Sequence, residues 1–439
     1  MTEERRRQDR IARLIDLARN YRGWSAGRLD EALGRESRRA VPLSGNPKLD
    51  LVARLAAALE WDLGEVAEDL WDGDFAAEDA CSDRDDGGRR GATFVELDLR
   101  AQAEHRAGDA EGMRRTATAM RAVARSGHER AVAANRLAGA FDGRGRFARV
   151  LACVREGLAE QGVGADVRLM LRVNLANANH ALWNLDESRA IASSLLEERA
   201  VREPANRLQR VAGAFCHLVR GHGHRRTLQD ATRPGGIVDR SVASELARRA
   251  IDDLSRAVER YEELAQAFGD GQYVGLADAA RGGIVEARVA CGELSEEEAI
   301  ATVIARLERS VEAEEAGVCE APAVREAAGW WALFGANIAL GSRGPHDPDG
   351  DSAAQTLAIC TNKASEVADE LDHWPMRERT FSLEWIRREQ EARRERTRPA
   401  GWTLDEEDLR GIVGSMGRFP FFRPIGWKIL DGAEILAPA

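Results

Sequence analysis

The chain has 439 residues, 44% of them hydrophobic and 31% charged, with a formal net charge of −11. That composition describes a soluble globular chain too long for one small core, so two or three domains or a solenoid are expected. No stretch approaches the roughly 20 apolar residues that span a bilayer, and no apolar run follows the charged N-terminus as a secretory signal would require. Six scattered cysteines without a C-x-x-C point to free thiols in a cytoplasmic protein rather than to disulfides or a zinc site.

Aromatic residues make up only 5% of the chain and alanine is abundant, which fits closely packed helices. Charge is unevenly spread. Residues 1–54 carry 13 Lys/Arg against 8 Asp/Glu, a surplus of +5 that leaves −16 for the rest. An acidic body is repelled by nucleic acid, so any such contact is expected at the basic N-terminal end.

In chain order, the first helical pattern carries Ile11, Leu14, Ile15 and Leu17. Ser25 then stands as a helix cap before a short helix with Leu29 and Leu33, and Gly34 closes it in the position of a left-handed cap. An Arg-rich segment, the Gly45-Asn46-Pro47 turn and a closing helix with Leu49, Val52, Leu55 and Leu59 follow, running through Trp61 to about Trp71. This is the order of a small helix-turn-helix domain.

On Trp24-Ser25, Leu29, Leu33-Gly34 and Gly45-Asn46-Pro47 with Leu49, the segment resembles the lambda-repressor-like (Xre-type) DNA-binding family. The resemblance covers about the first 70 residues. It implies contact with double-stranded DNA through Ser25, Arg28, Arg35, Ser37, Arg38 and Arg39. Two residues depart from the pattern: Ala26 replaces the usual polar residue after the cap, and Pro42 falls inside the expected recognition helix. A proline there costs about 3 kcal/mol in a helix interior, so a helix starting near Glu36 or Ser37 should end after about one turn. The alternative is a degenerate helix-turn-helix kept for packing or dimerisation.

Residues 72–92 are polar and glycine-rich and read as a flexible linker. From Thr93 helical patterns come in pairs whose turns fall at Gly108, Gly143 and Asn184, near a 34-residue period, with Ala103, Ala138 and Ala178 before them. This resembles tetratricopeptide architecture. A longer pattern carries Leu254, Val258, Tyr261, Leu264 and Phe268 on one face, and further helices are expected around 272–291, 295–315, 322–340, 352–371 and 376–396. The fold class is therefore all-α: a helix-turn-helix domain over 1–71, the linker, an α-solenoid over 93–396, and an aromatic tail over 397–439. That tail is expected to begin with an acidic helix capped at Thr403 and to cap the last repeat, as solenoids require.

Candidate chemistry is sparse. Cys216, His217, His222 and His224 are dense enough for a metal but read as a solvated basic loop, and H-D-P-D-G-D from His346 lacks the closing acid of a calcium loop, which would fall at Ala358. No phosphate loop, nucleophile elbow or carboxylate pair stands out, so no enzyme, cofactor or metal is expected. The better candidates are Asn135, Arg168, Arg172, Asn174 and Asn177 on the first helices of repeats two and three, where a concave groove would bind a peptide or protein. Cross-linking between neighbouring helices is the other reading of the asparagines.

A helix-turn-helix joined to such repeats resembles the peptide-responsive bacterial transcription regulators, in which the repeats bind a signal and dimerise. It implies a DNA-binding regulator that senses a peptide or protein. A protein-interaction scaffold with a degenerate helix-turn-helix is the alternative. A homodimer is expected, with Trp330 or Trp331 and the tail residues Phe419, Phe421 and Phe422 as the apolar subunit surface.

Overall fold

The computed structural model describes residues 3–34, 47–61, 63–71, 92–232, 240–315, 321–341, 350–395 and 401–436. These are almost wholly helical, with only two three-residue strands among them. The chain divides into two units: residues 1–85 with 388–439, and residues 86–387.

In the first unit, α1 (Glu3–Tyr21), α2 (Ala26–Ala32), α3 (Leu49–Leu59) and α4 (Leu63–Trp71) share a core. Ile11, Leu14, Leu29, Leu33, Leu55, Leu59, Val66 and Leu70 are all buried there. The expected single closing helix to Trp71 is two helices. Glu60 adopts a left-handed conformation, φ 58°, which ends α3 and turns the chain through Trp61 into α4. Arg22 secures that end from α1, donating its Nε to the Ala58 carbonyl at 2.6 Å and pairing with Glu60 at 3.0 Å.

The tail belongs to this same unit. It forms β1 (Trp402–Leu404), then α19 (Glu406–Arg418), α20 (Arg423–Asp431) and β2 (Ala433–Ile435); β2 returns parallel to β1 with Trp402 opposite Ala433 and Leu404 opposite Ile435. The α19 cap is Asp405, not Thr403: its carboxylate accepts from the Glu407 and Asp408 amides, while Thr403 lies within β1. The expectation of a tail that caps the last repeat is thus corrected. Helix α19 packs on α1 and α3, and the Trp61 indole donates to the Val413 carbonyl at 3.0 Å.

The second unit begins with the helix pairs α5 (Phe94–Arg106) and α6 (Ala110–Val123), α7 (Gly127–Asp142) and α8 (Phe147–Ala159), and α9 (Ala165–Ala181) and α10 (Leu185–Leu196). The short α11 (Arg199–Arg202) precedes three longer pairs: α12 (Arg207–Thr232) and α13 (Arg240–Phe268), α14 (Gly271–Ala290) and α15 (Glu296–Glu315), and α16 (Pro322–Gly341) and α17 (Gly350–Glu370). Helix α18 (Trp374–Glu395) follows, and the boundary between units falls within it. From α5 to α17 each helix packs on its chain neighbours, and the first helices also touch one another in sequence: α5 on α7, α7 on α9, α9 on α12, α12 on α14, α14 on α16.

Local capping explains the starts. Thr93 with Glu96 and Ser126 with Glu129 form reciprocal capping boxes at α5 and α7. The segment containing Cys216, His217, His222 and His224 is not a loop but the middle of α12, with Cys216 and His217 buried. Its small residues let neighbours approach closely, since a Cβ at Gly221 would stand 2.8 Å from Leu254. Packing has overridden weak helix propensity.

Candidate functional site

The residues expected to touch DNA lie in the first unit. Ser25 caps α2: its Oγ accepts from the Arg28 amide at 3.3 Å, with extended backbone at φ −66°, ψ 159°. Leu33 follows the helix, and Gly34 at φ +67° makes the left-handed turn that a side chain would strain. Leu29 and Leu33 are buried, so the opposite side of α2 faces out and carries Arg28, which pairs with exposed Glu31 at 3.0 Å. Arg35, Ser37, Arg38, Arg39 and Pro42 lie outside the described residues.

Several arginines of this unit are engaged by acids. Arg13 pairs with Asp431, and its guanidinium lies 4.2 Å from the Trp427 ring centre; Arg54 pairs with Asp50 at 3.0 Å. Such exposed pairs contribute little stability, about 0–1 kcal/mol, but they offset the positive charge that composition places here.

In the second unit the asparagines meet. Asn174 on α9 donates to Asn135 on α7 at 2.9 Å, and Asn177 donates to the Asp142 carboxylate at 2.8 Å. Arg172 and Arg168 do not join them. Two residues of helix turn the side chain by about 200°, which puts Arg172 on the other side of α9 from Asn174. There Arg172 pairs with Glu198 and donates to Ser194, while Arg168 is exposed. Of the five residues considered for a peptide groove, the asparagines are thus brought together and the two arginines are not.

The inner row of helices is closed by residues from far along the chain. Trp183 at the end of α9 lies under two guanidinium groups, Arg226 of α12 at 4.9 Å and Arg379 of α18 at 5.1 Å. Arg225 donates to Glu286 of α14 at 2.7 Å and stacks over Phe334 of α16 at 4.7 Å. From Met376 to Leu383, α18 is enclosed nearly all round, with Glu378, Arg379, Thr380 and Ser382 buried along with Met376 and Leu383. The row of first helices therefore curls until its last member reaches α9 and α12.

Beside Asn177, burial raises the Asp142 carboxyl to about 6; the nearby Glu326 carboxylate adds to that shift, while His373 and the Asn177 hydrogen bond oppose it. Asp142 as a residue keeps some solvent contact. His373 contacts Glu326 at 3.2 Å, and Trp330 donates to the same carboxylate at 3.1 Å. Burial also holds His180 and His222 well below the usual imidazole range, with the neighbouring arginines reinforcing it.

The four residues considered for a metal diverge around α12. His217 bonds Asp253 at 2.9 Å, His222 stacks on Phe334 at 6.0 Å, and His224 meets Arg189 at 3.4 Å. Among the described residues no group of three or more His, Cys, Asp or Glu is placed to hold a metal ion. The aromatics expected at a subunit surface are used within the chain. Trp331 is buried and donates to Asp278, and Trp330 packs on the same core. Phe419 and Phe422 are buried, and the Phe421 ring lies 6.0 Å from that of Phe419.

Asp142, Trp183, Arg379, Glu326 and His373 escape sequence reasoning because they come from segments tens to hundreds of residues apart. No protein-family model matches the chain, and no curated protein matches it. No helix among the described residues is long and apolar enough to cross a membrane.

Proposed function

We propose that the protein is a DNA-binding transcriptional regulator. In this reading the first unit is a helix-turn-helix domain that contacts double-stranded DNA, and the second is a tetratricopeptide-like solenoid that senses a peptide or protein. The observation that carries it is the Ser25-capped α2 ending in the Gly34 turn, its outward side bearing Arg28. A capped helix of that kind presents amide N–H groups and a positive dipole end to a phosphate, and the Ser25 hydroxyl keeps its own proton to donate. The reading needs no catalytic step, cofactor or metal. In a homodimer, two such domains would engage two half-sites.

The solenoid reading is supported by first helices that contact one another in sequence. The ligand surface in this reading is the stretch of α7 and α9 that carries Asn135 and Asn174, whose side chains bond each other and so equally suit the cross-linking reading. A second reading, a protein-binding adaptor, draws support from the acids that engage Arg13, Arg22, Arg28 and Arg54.

Gel shift of the full chain with duplex fragments of its own upstream region separates the two. The regulator retards a fragment at low salt, loses affinity steeply as salt rises because counterions are released, and weakens further in Arg28→Glu and in Arg38→Glu with Arg39→Glu. An adaptor retards no duplex even at low salt.

A further inference from the structure

We infer that the C-terminal segment 401–436 is a clasp that controls whether the N-terminal helices are folded, and so controls the recognition unit from the other end of the chain. The regulatory part rests on the DNA-binding reading; the clasp itself does not.

Three contacts, about one helical turn apart, run along the start and length of α4. Trp61, 5% exposed, gives its indole N–H to the Val413 carbonyl of α19. Arg423 of α20 donates to the Glu65 carbonyl at 3.2 Å, and its guanidinium lies 5.2 Å from the Trp61 ring centre. Trp427 donates to the Asp69 carboxylate at 3.1 Å; burial raises that carboxyl above its usual range, with the Trp427 bond and nearby arginines working against the rise. Helix α1 is tied to the same tail through Arg13 and Asp431.

The fit is close. A Cβ at Gly417 would stand 2.4 Å from Trp61 Cδ1, so a glycine is needed for α19 to approach. The clasp is also closed on itself: β2 pairs with β1, and the Leu436 amide donates to the Leu404 carbonyl at 2.9 Å.

Four short helices built from about 70 residues bury little apolar surface and are marginal alone. A folded partner covering Trp61 supplies what they lack. The chain enters the helical-pair unit after Asp85 and leaves it within α18. Docking and undocking of 401–436 then act on the N-terminal helices as a two-state element.

Hydrogen exchange on the full-length protein tests this with Gly417→Val. The clasp requires amides of α1, α3 and α4 to exchange faster together with those of α19 and α20, by about tenfold or more, while α12 and α16 stay unchanged. DNA affinity should fall in parallel. If α19 and α20 exchange faster while α1, α3 and α4 keep their protection, the tail is a passenger and the inference is overturned. Should Gly417→Val unfold the whole protein, Trp427→Phe removes one hydrogen bond, and the same comparison around Asp69 decides. Coupled exchange in a protein that binds no duplex would sink the DNA reading and leave the clasp standing.

Discussion

The Trp61 indole N–H donates to the Val413 carbonyl at 3.0 Å, across 352 residues of chain. Both groups are buried, and because Val413 lies inside α19 its carbonyl keeps its helical partner when the indole is removed, so the loss is that of one hydrogen bond, about 0.5–1.5 kcal/mol. Trp61→Phe keeps an aromatic ring in the site but removes the indole N–H together with the pyrrole edge that packs on Gly417. The first unit should then unfold at lower urea than the helical pairs, giving two transitions or a broadened one. Circular dichroism together with tryptophan fluorescence checks it; an unchanged single transition would show that the bond contributes nothing measurable.

Asp142→Asn tests the enclosed carboxyl beside Asn177. The folded-state value of about 6 lies above the ordinary 3.8, so the stability this group contributes is full below about pH 4 and is lost as pH rises through 6. Asparagine cannot ionise and still offers Asn177 an acceptor. The variant should match the parent near pH 4 and exceed it above pH 7, by roughly 1–3 kcal/mol. Thermal melts at the two pH values decide; an equal difference at both would mean that ionisation of Asp142 plays no part.

Tyr261 is fully buried in the core of α12, α13 and α14, and its hydroxyl has no hydrogen-bond partner among the described residues. An unpaired buried hydroxyl is a cost, and its ring already packs at 6.1 Å against Tyr273. Tyr261→Phe should be neutral or stabilising by up to about 1 kcal/mol, measured as a raised denaturation midpoint. A marked loss of stability would reveal a partner for that hydroxyl.

Much of the helical layout was legible in the sequence, for a local reason. Thr93 with Glu96 and Ser126 with Glu129 announce helix starts, and Leu254, Tyr261 and Leu264 keep a helical period because one face of α13 is buried. What the sequence hid depends on distant partners. Gly221 and His222 read as loop residues until Leu254, Gly283 and Phe334 are seen packed against them. Thr403 has the chemistry of a cap, but β2, later in the chain, draws it into a strand. Asn135 and Asn174 were both visible as unusual helix residues, with cross-linking among their readings, whereas Arg172 looked like their neighbour only until the helical rotation was applied.

The pairing of Trp61 with Val413 also has a consequence for biosynthesis. On a ribosome adding roughly 5–20 residues per second, Val413 is made some 20–70 s after Trp61. For that interval α4 has emerged without the surface that will cover its indole, while the helical pairs between them are synthesised and can fold in order. The nascent first unit therefore keeps that indole uncovered until the segment around Val413 has been made.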